Sequence, residues 1–162
     1  MTQQVILVEQ PSPAYAEEIT SLIEKLPDEI VTVVGAKIFP FDAAQAVSQL
    51  HRLIDMSRYV VFVARESGDR IVGIVTLSES SALYAGGFFG TVPEFYVVPE
   101  RRSTGVGTML AAASQEYAQF HGWQCLEVTT PPLPQFEKAL SFYERQGFSV
   151  TGRRKLKLET QQ

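Results

Sequence analysis

The sequence predicts an α/β chain: one mixed sheet with helices on both faces, in the order β-α-α-β-β-β-α-β-α-β. Three observations predict it. Apolar residues recur at helical spacing in four separate windows. Two β-rich runs, Tyr59–Arg65 and Arg70–Leu77, flank Glu66-Ser67-Gly68-Asp69, a hairpin signal that implies antiparallel strands. A strand, a helix and a strand then follow one another from Val92 to Thr129, which implies a parallel pair joined by a right-handed crossover.

Taken in order, Gln4–Glu9 is a short apolar strand. Ser12 and Pro13 supply an N-cap and a first helical residue, and Tyr15, Ile19, Leu22 and Leu26 form the apolar stripe of a helix that Pro27 ends. An unusually apolar connection, Val31 to Phe41, leads to Asp42. That residue caps a second helix, with Gln45 completing a capping-box pattern. Ala43, Val47, Leu50 and Ile54 mark its buried face. After the hairpin comes a glycine-rich connection, Ala85 to Gly90, carrying Phe88 and Phe89. The strand Val92–Val98 contains Pro93 and Glu94, both unusual in an apolar strand. Met109, Leu110, Ala113, Tyr117 and Phe120 define a third helix, closed by Gly122. Trp123–Thr129 is a strand and Pro131–Pro134 a stiff loop. Phe136, Ala139, Leu140 and Tyr143 line a fourth helix stopped by Gly147, and a final strand or hairpin begins at Phe148.

With 162 residues, 45% of them hydrophobic, the chain forms one domain over 1–162 with a sizeable core. A formal net charge of -4 argues against nucleic acid or an anionic membrane as partner. Cys125 is the only cysteine, so it has no intramolecular disulfide partner; in a buried strand it reads as a small core residue. His51 and His121 have no ligand-spaced neighbours, so no metal is expected. The N-terminus lacks a basic segment followed by an apolar run, and no apolar stretch approaches membrane-span length. The expectation is a cytoplasmic protein, monomeric or homodimeric.

The chemistry gathers at Gly105-Val106-Gly107. The first amides of a helix lack intrahelical partners and carry the positive end of its dipole. Glycines there let an anion approach the main chain, so Ser103, Thr104, Gly105, Val106, Gly107 and Thr108 form a candidate cup for a di- or polyphosphate, with Arg101 and Arg102 beside it. The cup is neither a P-loop nor a dinucleotide fingerprint: there is no Gly-Lys-Ser/Thr and no third glycine.

Val97-Val98-Pro99-Glu100-Arg101-Arg102-Ser103-Thr104-Gly105-Val106-Gly107 resembles motif A of the GNAT superfamily, the acyl-CoA-dependent N-acetyltransferases. Arg102 takes that motif's Gln/Arg place. Ala139-Leu140-Ser141-Phe142-Tyr143-Glu144-Arg145-Gln146-Gly147-Phe148 resembles the family's A-x-x-x-Y-E-x-x-G-F motif. The resemblance covers the whole element order. It implies strands splayed at an acyl-CoA site, with the main chain of Phe95, Tyr96 and Val97 offered to the pantetheine arm. It also implies acetyl-CoA as acyl donor and direct attack by an amine, with Tyr143 protonating the departing sulfur.

Glu94 is the candidate base or cation anchor, with Glu79 a weaker alternative and Tyr96 a further polar group on the Glu94 face. Val34, Ile38, Phe39, Phe41, Phe88 and Phe89 are the candidate acceptor wall. The acceptor is a small-molecule amine or a protein amino group; small amines, amino acids, aminoglycosides and protein N-termini all stay open. Phe136 stands where many relatives carry Asn, with Thr129, Thr130 or Gln135 as possible substitutes for the lost contact. That departure keeps a second class in view, a catalytically silent acyl-CoA-binding sensor or assembly module.

Overall fold

The computed structural model describes residues 4–35 and 41–160. Ten elements follow in order: β1 (Leu7–Glu9), α1 (Ala16–Val34), α2 (Ala43–Asp55), β2 (Val60–Arg65), β3 (Ile71–Ala82), β4 (Gly87–Val92), β5 (Phe95–Val97), α3 (Val106–Phe120), β6 (Leu126–Val128) and α4 (Glu137–Arg145). Strands β1 to β4 run in spatial order. β6 lies parallel to β4, and β5 pairs with β3. The mixed sheet with helices is as the sequence predicts.

The core centres on β3. Ile71 to Leu77 are all buried, so both faces of this strand are covered. On one face α3 lies unusually close. A Cβ on Gly73 would meet Leu110 at 2.9 Å and Val106 at 3.0 Å, so only glycine admits that approach. On the other face packs α1, through Ile19, Leu22 and Ile23, with α2 packed against α1.

Several expectations are corrected. Pro27 does not end the first helix, which runs on to Val34 and is closed by Gly35 in the left-handed conformation at φ 77. A proline inside a helix removes one N–H bond; burial of Ile23 and Ile30 on either side of it holds this helix together. The segment Gly87–Val92 is a strand, not a loop. Its Gly90 gives up a side chain to make room for the Trp123 ring, which a Cβ would approach to 2.3 Å. β3 accordingly extends five residues beyond Leu77, to Ala82. Finally, among the described residues no strand follows α4: residues 148–160 have no regular structure, and Leu156 and Leu158 are exposed.

Asp42 caps α2 as the sequence predicts, without a Gln45 side-chain bond among the described residues, whereas Ser12 caps a short 3-10 turn, Pro13–Tyr15, and α1 starts after it at Ala16 with no side-chain cap. Ala44 N donates to Asp42 Oδ1 at 3.0 Å, and Ala14 N donates to Ser12 Oγ at 3.3 Å. Gly122 follows α3 at φ 69. Cys125 is exposed, not buried, because β6 begins only at Leu126 and the residues before it form the turn out of α3.

Gly90→Ala should therefore destabilise the fold by about 1–3 kcal/mol, the range for overpacking. Urea unfolding would show a lower midpoint with an unchanged slope.

Candidate active site

The site begins with a break in a ladder. β3 pairs with β4 through Ser78–Ala82 and with β5 through Gly73–Val75. β6 follows β4 only at Gly90–Val92, so beyond Val92 no strand among the described residues lies beside the outer edge of β5. The break falls at Pro93-Glu94. Pro93 has no N–H to give, and the Glu94 amide turns from the ladder to Thr76 Oγ1 at 3.0 Å. Pairing with β3 resumes through Thr76 N to Glu94 O and Val98 N to Val72 O, both 2.9 Å. Antiparallel alternation then turns the main chain of Tyr96 toward β3 and that of Phe95 and Val97 outward. The Val97 carbonyl is filled by Arg102 Nε at 2.9 Å. The free groups on the edge are thus the N–H and C=O of Phe95 and the N–H of Val97. Tyr96, expected with them, faces the other way.

One turn further along the chain lies the amide cup. Ser103 at φ 62 and Gly105 at φ 94 are both left-handed, and they swing the chain into α3. The amides of Val106, Gly107 and Thr108 open the first helical turn, where no intrahelical acceptor exists. The two glycines serve different ends. A Cβ on Gly105 would meet nothing within 4 Å, so this residue supplies the backbone conformation and leaves open space. A Cβ on Gly107 would touch the Phe142 ring at 3.0 Å, so Gly107 lets α4 close onto α3.

The arginines beside the cup are engaged elsewhere. Arg102 forms a two-pronged pair with Glu29 of α1, at 2.7 and 2.8 Å, and lies over the Tyr96 ring. Arg101 pairs with buried Glu66 at 2.7 Å and also reaches Gln4. Any anion in the cup is left chiefly to main-chain N–H groups.

Tyr143 and Glu94 lie on opposite sides of β5. Tyr143 is buried in an aromatic nest, its ring centroid 5.9 Å from Phe95, 5.4 Å from Phe142 and 5.5 Å from Phe148. Burial pushes its phenol well above the ordinary tyrosine range. α4 is held in place by Gln146, whose Nε2 donates to Thr108 Oγ1 at 3.1 Å and whose carbonyl accepts from Gln115 at 3.2 Å. Glu94 faces away from α3. Its Oε2 accepts hydrogen bonds from the Tyr59 and Thr76 hydroxyls. Burial first, and then the Glu94 charge, raise the Tyr59 phenol far above its usual range. Sequence reasoning missed both partners. Tyr59 read only as the start of a strand and Thr76 as the interior of one.

Other candidates disperse. Glu79 accepts Trp123 Nε1 at 2.6 Å on the α3 face, away from Glu94. Phe41 is half-buried beside α1 and lines a cleft of about 300 Å³ with Glu17, Thr20, Glu24 and Val47. Phe88 is exposed, whereas Phe89 is buried and lies beside Tyr84, so these neighbours in one strand do not form one wall. Ile38 and Phe39 lie outside the described residues. Phe136 is half-buried at the start of α4, with its N–H on Pro132 O at 3.1 Å.

Residues 57–150 match the acetyltransferase (GNAT) domain family. The chain belongs to the GNAT acetyltransferases. It is similar to the uncharacterized N-acetyltransferase YhfO of Bacillus subtilis (strain 168), 27% identical over 107 residues that span 66% of this chain and 70% of YhfO. Among solved structures, the aminoglycoside N-acetyltransferase AAC(6')-Iy in complex with CoA superposes with a TM-score of 0.78 at 16% identity, covering 98% of this chain and 97% of that one. A predicted acetyltransferase with acetyl-CoA from Clostridium acetobutylicum superposes with a TM-score of 0.76 at 13% identity, covering 96% of each chain.

A GNAT fold implies a site for acyl-CoA, and the local chemistry here fits one. The space where a Gly105 Cβ would stand is open, the first amides of α3 have no intrahelical acceptor, and β5, just before them in the chain, pairs on one side only among the described residues. Among the described residues no group of three or more His, Cys, Asp or Glu gathers to hold a metal, and no helix is long and apolar enough to cross a membrane.

Thr104 is exposed at the rim of the cup, its Oγ1 donating to Arg101 O, so Thr104→Glu gives up one exposed hydrogen bond and adds a negative charge without disturbing Gly107 or Phe142. Calorimetry should show coenzyme A affinity falling by about tenfold or more, a loss of ~1.4 kcal/mol, with thermal stability unchanged.

Proposed function

We propose that this GNAT chain moves an acetyl group from acetyl-CoA to a primary amine by direct attack, with no covalent enzyme intermediate. The observation that carries this reading is one juxtaposition. The free edge of β5 has the amide cup of α3 at one end, the Tyr143 nest on one face and Glu94 on the other.

Acetyl-CoA would supply an activated acyl group and a thiolate leaving group. The amides of residues 103–108 hold its pyrophosphate, and Phe95 and Val97 offer main-chain groups to its pantetheine arm. The Val97 N–H, or a neighbouring amide, polarises the thioester carbonyl in the manner of an oxyanion hole. Glu94 meets the incoming ammonium and takes its proton, directly or through water. Tyr143 gives a proton to the departing sulfur, so it must carry that proton at working pH. Its burial favours the protonated form.

The acceptor is an amine that arrives as a cation. The fold relative AAC(6')-Iy is an aminoglycoside N-acetyltransferase, which makes polycationic amino sugars one class to test beside small amines, amino acids and peptide N-termini. Labelled acetyl-CoA incubated with such a panel tests the reading directly. Transfer to at least one amine is expected. Tight coenzyme A binding with no transfer to any of them would favour the silent sensor.

Tyr143→Phe should lower kcat by roughly 10²–10⁴-fold, the span of general acid catalysis, with acetyl-CoA binding retained. Because the phenol's pKa lies above its ordinary value, loss of its proton should not depress wild-type kcat below about pH 10. A full-speed mutant would assign Tyr143 to packing alone.

A further inference from the structure

Glu94 stands at the ladder break with a half-buried side chain, and two hydroxyls meet it. Thr76 is wholly buried. Its Oγ1 accepts the Glu94 N–H at 3.0 Å and gives its own proton to Glu94 Oε2. The hydroxyl thus holds both the main chain and the side chain of one residue. Tyr59 lies just before β2, next to Val60, which pairs with Leu77. It shares the side-chain parity of Val61, which pairs with Thr76, so its hydroxyl reaches the same Oε2 from the neighbouring strand. Among the described residues Oε1 has no partner, and no cation pairs with Glu94.

Glu94 is half-buried beside an apolar sheet. A carboxylate there needs hydrogen bonds to offset its lost hydration. Two donors on one oxygen leave the other lone pairs in a fixed direction instead of a mobile one. A phenylalanine at 59 would fill the same space more cheaply if Glu94 had no task.

We propose that Tyr59 and Thr76 are positioning residues for acetyl transfer, clamping Glu94 by Oε2 so that Oε1 is kept for the ammonium group of the acceptor. The inference rests on the acetyltransferase function proposed above and deepens it. The acceptor's nitrogen binds as a cation against Glu94, on the face of β5 opposite Tyr143. The clamp acts on the amine and not on the acyl donor, whose cup and strand edge lie outside it.

The test is a double-mutant cycle on the intact chain, using the best amine from the panel and acetyl-CoA. Tyr59→Phe removes one hydroxyl and keeps the ring. It should lower kcat/KM for the amine by about tenfold, in line with loss of one hydrogen bond to a charged group, and leave KM for acetyl-CoA within about twofold. Made in a Glu94→Gln background, the same substitution should add almost nothing, since residues acting through one another are not additive. Thr76 also accepts the Glu94 N–H, so its test is the conservative change: Thr76→Ser keeps the hydroxyl and should retain most of the activity. Equal losses from Tyr59→Phe with and without Glu94, or a loss confined to acetyl-CoA, would overturn the clamp while leaving acetyl transfer standing. A wild-type chain that acetylates no amine in the panel would overturn the function and the clamp together.

Discussion

A single residue step decides the geometry of this molecule. At Pro93-Glu94 the chain stops pairing as β4 and resumes as β5 along the same partner, β3. A proline without an N–H and an amide captured by a threonine hydroxyl interrupt the ladder by one unit. β6 follows β4 up to Val92 and no further. The open edge, the exposure of Phe95 and Val97 main chain and the separation of Tyr143 from Glu94 all descend from that interruption. A continuous strand would present a closed sheet, and no extended ligand would find main-chain groups to bond.

The rest of the fold keeps the edge in place. α3 is drawn onto β3 by the absence of a side chain at Gly73, and α4 is drawn onto α3 by the absence of one at Gly107. These two contacts set the distance from the amide cup to the Tyr143 nest. From the other side, Arg102 reaches across to Glu29 and back to the Val97 carbonyl, tying α1 to the end of β5. Its charge is used on the fold, which leaves the cup to the helix dipole and to main-chain N–H groups.

The parts legible in the sequence were those that local chemistry determines. Asp42 caps a helix because a short carboxylate reaches an amide two residues on. Gly105-Val106-Gly107 marks a helix entry because a left-handed residue must stand there, and the spacing of Tyr143 from Gly147 carries a family pattern. The parts that stayed hidden depend on register or on tertiary packing. Pro27 reads as a stop, yet packing carries α1 past it. Gly87 and Gly90 read as loop, yet one of them makes a socket for Trp123. Tyr59, Thr76 and Glu94 come together only when the pairings of β2 with β3 and of β3 with β5 are both known. Nothing near any of the three in sequence announces the others. The partnership of Arg102 with Glu29 is equally remote, so the tie it makes between α1 and the end of β5 has no sign in the sequence.

Residue-resolved amide hydrogen exchange, with and without coenzyme A, tests most directly whether the interrupted ladder is the acyl-donor site. Without ligand, the Tyr96 amide should already be slow, because it bonds to β3, while those of Phe95 and Val97 exchange quickly. Coenzyme A should slow Phe95 or Val97 together with residues 106–108 and leave Tyr96 unchanged. Coenzyme A binding that leaves the β5 edge as fast as before, or a Tyr96 amide that is fast in the free protein, would contradict the account.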